Sequence, residues 1–177
     1  MRCFIALDLP KEIIEKIKKI QKQLPEFIGK KTEANNLHLT LKFLGETDEE
    51  KIELVKEKLK EVKIKKFETE INLIGVFSEE FIKIVWLHLT NCDALQREVD
   101  KFLEGLFKPE QRFMGHLTIA RVKNVENKKE FLEKLKKIKI PKIKFVVDNF
   151  KLKSSILKAE CPVYGDIEIY HLNKIKI

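Results

Sequence analysis

Three of the four histidines in this 177-residue chain are followed by leucine and then threonine: His38-Leu39-Thr40, His88-Leu89-Thr90 and His116-Leu117-Thr118. The whole sequence has only 6 threonines, so coincidence accounts for well under one such motif. Imidazole is the side chain whose ordinary pKa lets it both give and take a proton near neutrality. In a strand, a hydroxyl two residues further on shares its face, because side chains i and i+2 project together. Two such pairs converging on one cleft would hold the parts for phosphoester chemistry. One histidine takes a proton from the attacking oxygen, the other gives one to the leaving oxygen, and the threonine hydroxyls donate to non-bridging phosphate oxygens as charge develops. That chemistry needs no metal and no cofactor, and the two motifs, being nearly identical, do not say which histidine is acid and which is base.

Elements able to position these groups are legible in the spacing of apolar residues. Helical stripes run through Ile13, Ile17 and Ile20, through Ile52, Val55 and Leu59, through Leu95, Val99 and Phe102, and through Phe131 and Leu135. Strand-like segments cover Cys3–Leu9, Leu37–Leu44, Phe67–Phe77, Phe81–Leu89, His116–Val122, Ile143–Leu152 and Ile167–Leu172. The order strand, helix, strand, helix, strand runs twice, and an offset of 78 residues superposes His38 on His116. Two similar α+β lobes follow, roughly 1–80 and 81–177, each a largely antiparallel sheet backed by helices. In that order the His88 strand matches the N-terminal strand rather than the His38 strand, so His88 is expected to be structural. Thr90, Asn91 and Asp93 are expected to cap the helix that follows. His171 has no partner motif.

Composition narrows the setting. Lys plus Arg is 36 against 28 Asp plus Glu, a formal charge of +8, which favours a polyanionic partner such as RNA. At 44% apolar residues the chain can build a core. Cys3, Cys92 and Cys161 are odd in number and never form CxxC, which argues against a disulfide scaffold and fits a reducing compartment. No apolar run approaches the roughly 20 residues of a membrane helix. Asp8 and Pro10 interrupt the apolar N-terminus too early for a signal peptide, so a cytoplasmic protein with no membrane partner is expected. The lysine and glutamate bias leans towards a thermophile.

RCFIALDLP, NLHLTLKFLGE, GHLTIARVK and the tail LKSSIL…PVYGDIEIYHL together resemble, over nearly the whole chain, the two-histidine (2H) phosphoesterases. The similar branch is that of the bacterial and archaeal RNA 2′,3′-cyclic phosphodiesterases, historically called 2′-5′ RNA ligases. The resemblance implies a bilobal α+β fold of pseudo-twofold symmetry, with two largely antiparallel sheets lining a central cleft and helices outside. It implies metal-independent opening of an RNA 2′,3′-cyclic phosphate to a 2′-phosphate, with His38 as proton donor, His116 as proton acceptor, and Thr40 and Thr118 beside them. It also implies reversible, ATP-independent 2′-5′ ligation as a side reaction. Arg121 stands where the family carries a substrate-contacting arginine, and Gly115 stands where it commonly has proline. The expected partner is an RNA 3′ end, tRNA fragments among the candidates, met by a monomer.

Strict alternation from His116 puts Arg121 on the Leu117 face, so Arg121 reaches the cleft only if the strand ends or twists there. The same parity assigns Phe43 to the core and Lys42 to the His38 face. Two other classes compete with the enzyme reading: a metal hydrolase ligated by His38, His88 and His116, and a non-catalytic RNA-end binder.

Overall fold

Those stripes and alternations resolve into four α-helices and nine strands in a computed structural model that describes residues 1–159 and 162–173. In chain order they are β1 (Arg2–Asp8), α1 (Lys11–Lys22), β2 (Ile28–Lys31), β3 (His38–Glu46), α2 (Glu49–Leu59), β4 (Phe67–Val76), β5 (Ile84–Leu89), α3 (Asp93–Phe102), β6 (His116–Asn124), α4 (Lys128–Lys137), β7 (Ile143–Val147), β8 (Asn149–Ile156) and β9 (Val163–His171).

The helix starts follow local chemistry. Pro10 precedes α1 with its φ already suited to a helical first turn. The Asp48 carboxylate accepts from the Lys51 amide at 2.8 Å and caps α2, and Asn127 does the same for Glu130 at the head of α4. The caps expected for α3 are absent: Thr90 Oγ1 instead accepts from the Glu70 amide, and the Asn91 side chain donates to the Glu68 carbonyl. Both residues fasten the edge of β4, because the chain turns through a left-handed Asn91 before the helix begins.

The strands form one curled sheet in the order β7-β4-β5-β6-β3-β1-β8-β9, with β2 beside β6, and every pairing between these strands is antiparallel. β3 and β6 meet at a single rung, Leu39 opposite Leu117. These two residues are equivalent under the 78-residue offset, and an antiparallel rung between equivalent residues is where a local twofold axis must cross. The fold is therefore α+β and bilobal, with sheet halves β3-β1-β8-β9 and β6-β5-β4-β7. Leu39, Leu41, Leu117 and Ile119 turn to the buried side, where α3 packs on β3, α4 on β4, and α1 on β6 and β7.

The halves of the sheet are not the halves of the chain. β4, which precedes residue 80, pairs with β5 and β7, whereas β8 and β9 return from the C-terminal half to extend β1. The single strand expected over 143–152 breaks at Asp148 into β7 and β8, which serve opposite ends of the sheet.

A second departure decides where the functional side chains point. In β3 the partner of Ala6 is Thr40 and the partner of Ile5 is Lys42, so Leu41 is an extra residue. In β6, Trp86 pairs with Thr118 and Val85 with Ala120, so Ile119 is extra. The two bulges sit at equivalent positions. A bulged strand reverses the face of every residue beyond it.

Cys3 and Cys92 are free and buried, and burial pushes the Cys92 thiol up to about 12, which makes it inert packing. Cys161 lies outside the described residues.

Candidate active site

The concave face of the sheet encloses a cleft of about 510 Å³ whose lining includes His38, Thr40, His116, Thr118 and Arg121. Continuing the Leu39–Leu117 register sets His38 against Thr118 and Thr40 against His116 as the strands diverge. The two histidines are then diagonal neighbours, a relation that spaces residues about 7–8 Å apart in a regular ladder and more widely where strands diverge. That leaves room for a phosphate between the rings.

Both rings are held in the same way. His38 Nδ1 lies 2.7 Å from the Asn36 carbonyl and His116 Nδ1 lies 2.8 Å from the Met114 carbonyl, each two residues upstream. A carbonyl only accepts, so Nδ1 carries the hydrogen and Nε2 is the nitrogen not tied to the backbone. His38 Nε2 is 3.0 Å from Thr40 Oγ1. Aromatic rings wedge both imidazoles: Tyr164 edge-on and Phe4 tilted lie against His38 with centroids 5.1 Å away, and Phe77 meets His116 at 5.0 Å and 90°. Burial holds the His38 pKa below its ordinary 6.5; the Asn36 hydrogen bond opposes this, and Lys153 adds to it.

The bulges correct the parity expectations. Beyond Ile119 the face reverses, and Arg121 emerges exposed into the cleft. Beyond Leu41 the same reversal brings Phe43 out, 72% exposed, on the cleft rim rather than in the core. Lys42 turns the other way. It is 2% exposed, donating to Asp100 Oδ1 at 2.5 Å and to the Lys108 carbonyl at 2.6 Å, and so leaves the His38 face. Asp100 also accepts from Gln96 and the Glu110 amide, and these bonds outweigh its burial to keep the carboxyl ionised. The pair ties β3 to α3 and to the segment after it.

His88 stands directly opposite His116, as Asp8 stands opposite His38, so the pairing register equates His88 with Asp8. Its Nδ1 is 2.7 Å from Asn72 Oδ1, and it does not line the cleft. Asp8 instead joins Lys151, Lys153 and Asp166 in an ion-pair network with N···O distances of 2.6–2.8 Å. The two histidines therefore face different electrostatic neighbours. Among the described residues no three His, Cys, Asp or Glu side chains gather as metal ligands, and the set His38, His88, His116 is not such a group.

Gly115 has a packing reason. A Cβ there would lie 2.5 Å from the Leu89 carbonyl, and the Gly115 carbonyl accepts from the Leu89 amide at 2.8 Å. Several site features escape sequence reasoning: the two upstream carbonyls, Arg2 on the cleft wall, Tyr164 against His38, and the four-residue β2. The carbonyls have no residue signature, and β2, Ile-Gly-Lys-Lys with all four residues exposed, carries no alternation.

A curled antiparallel sheet with two inward HxT pairs about a twofold axis defines a two-histidine phosphoesterase. The chain belongs to the LigT like Phosphoesterase family, whose profile matches residues 7–86 and 90–164. It is 37% identical over 174 residues to the RNA 2′,3′-cyclic phosphodiesterase of Methanocaldococcus jannaschii, covering 95% of this chain and 99% of the relative. It is 34% identical to the protein of the same name in Archaeoglobus fulgidus, covering 96% and 99%. The crystal structure of Escherichia coli LigT complexed with 3′-AMP superposes with a TM-score of 0.78 at 25% identity, covering 97% of each chain. No helix among the described residues is long and apolar enough to cross a membrane.

Proposed function

We propose that this protein opens the 2′,3′-cyclic phosphate at an RNA 3′ end and leaves a 2′-phosphate. The observation that carries the reading is the twofold pair of imidazoles, each with Nδ1 bound to the carbonyl two residues upstream and both lining one cleft. In the proposed step His116 Nε2 takes a proton from water as the water oxygen bonds to phosphorus. The P–O3′ bond breaks in line, and His38 Nε2 delivers its proton to O3′. The products are a 3′-hydroxyl and a 2′-phosphomonoester, and proton exchange with solvent resets the histidines. Thr40, Thr118 and Arg121 donate to the non-bridging oxygens as their charge grows. Both protons are supplied and removed by side chains, so the step calls on no metal and no nucleotide. With the 5′-hydroxyl of a second RNA in place of water, the same groups would break P–O3′ and join the two RNAs 2′-5′ without ATP.

The names of the relatives and the +8 charge support an RNA substrate, and the free buried thiols suit a reducing cytoplasm; tRNA fragments as that RNA and a monomeric enzyme complete the proposal. The test is incubation of an RNA ending in 2′,3′-cyclic phosphate in EDTA without ATP, with the product isomer identified. A 2′-phosphate is expected; a 3′-phosphate as main product, or no turnover, overturns the reading.

A further inference from the structure

The strand β2 has a use that the two-histidine chemistry does not require. It pairs only with β6, taking the place along β6 that β3 vacates as the two catalytic strands diverge after their single rung. All four of its residues are exposed, so burial does not explain it. Two devices nonetheless press it into position. The buried Gln21 amide donates to the Thr32 carbonyl at 2.9 Å and to the carbonyl of the bulge residue Ile119 at 2.8 Å. Gly29 lies so close to β6 that a Cβ would sit 2.2 Å from the Arg121 carbonyl. The result is that Lys30 stands directly opposite Arg121, with Lys31 opposite Ala120.

This register brings two cations, one from each strand, to the wall of the cleft. Lys30, Lys31, Arg121 and Arg2 all line the cleft, and Glu33 is the one carboxylate among its described lining residues. On the far side of Lys31 a separate hollow of about 490 Å³ carries Glu26 and Glu126, which would repel a polyanion. An anionic strand is thus confined to the concave side.

We infer that β2 is a phosphate rail: Lys30 and Lys31 hold the phosphodiester next to the reacting cyclic phosphate, so the enzyme selects polynucleotide ends over cyclic mononucleotides. This rests on the cyclic phosphodiesterase reading, and the experiment separates the two. The double variant Lys30→Gln/Lys31→Gln is compared with wild type on an oligoribonucleotide and on a mononucleotide, each bearing the 2′,3′-cyclic phosphate. A control, Lys16→Gln/Lys19→Gln, makes the same charge change on the solvent face of α1.

On the oligonucleotide, kcat/KM of the β2 variant should fall about tenfold or more, the fold-change of a lost charge-assisted hydrogen bond. Its dependence on log salt should flatten by about 0.7, the value for one single-strand phosphate contact. On the mononucleotide the loss should be several-fold smaller, and the α1 variant should match wild type on both. Equal losses on the two substrates, an unchanged salt slope, or an α1 variant as impaired as the β2 variant each overturn the rail. Absence of wild-type turnover on both substrates overturns the parent reading instead.

Discussion

Replacing the histidines one at a time tests the proposed site directly. His38 and His116 both line the cleft, each with Nδ1 tied to a backbone carbonyl. Removing either ring takes away one proton-transfer partner, an effect of about 10²–10⁴-fold in rate. At about 1.36 kcal/mol per tenfold, that is roughly 2.7–5.4 kcal/mol of barrier. The double variant should lose little more than the worse single variant, because the pair acts as a unit. His88→Ala should keep nearly full kcat, since its ring engages Asn72 and stands at the Asp8 position. The assay is single-turnover cleavage of an RNA bearing a 2′,3′-cyclic phosphate in EDTA, with circular dichroism to verify folding. His38 must be protonated to donate, so it sets the alkaline limb of the bell-shaped kcat/KM profile, and because burial lowers its pKa that limb should fall below 6.5. That limb should vanish in His38→Ala. A folded His88→Ala protein as impaired as His116→Ala would refute the register argument and revive the three-histidine metal reading.

Two further outcomes concern stability. Lys42→Met should cost about 3–5 kcal/mol in denaturant unfolding, because Asp100 is left without its buried cation; a loss below about 1 kcal/mol would show that Gln96 and the Glu110 amide suffice. Burial raises the Asp8 and Asp166 carboxyls, but hydrogen bonds from Lys151 and Lys153 outweigh it and hold both below 3.8. The folded state therefore binds protons less readily than the unfolded one, so this stability is full above 3.8 and lost as pH falls below it. Asp8→Asn/Asp166→Asn should flatten the loss of stability below that value, measured as denaturant midpoint against pH, and an unchanged slope would contradict it.

Much of the molecule was legible because its signals are local. The stripe of Ile13, Ile17 and Ile20 describes a helix whatever it packs against, and the Leu39 and Leu117 alternation fixes which face His38 and His116 take. The bulges were not legible in that way, since an extra residue is a property of hydrogen bonding between two strands. The Ile119-Ala120 pair, two apolar residues in succession, was the one local sign that alternation fails before Arg121. In β3 the corresponding sign was hidden, because Lys42 reads as polar while its ammonium is buried against Asp100. The exchange of β4 and β8 between the sheet halves was also out of reach, because periodicity says how a strand is buried and not beside which neighbour.

That exchange sets the order in which the protein can become an enzyme. The N-terminal β1 has β3 on one side soon after synthesis, but its other edge waits for β8, and the Asp8–Lys153 contact closes a span of 145 residues. Pairings so distant in sequence are slow to form, and an unpaired edge held open meanwhile invites association with other chains. A chain interrupted near residue 80 leaves β4 in one fragment and its partners β5 and β7 in the other. Neither fragment can finish a sheet alone. The strand that carries His38 is flanked by β1, whose far side waits for β8 from the other end of the chain, so a complete cleft reports that the two ends have been knitted together.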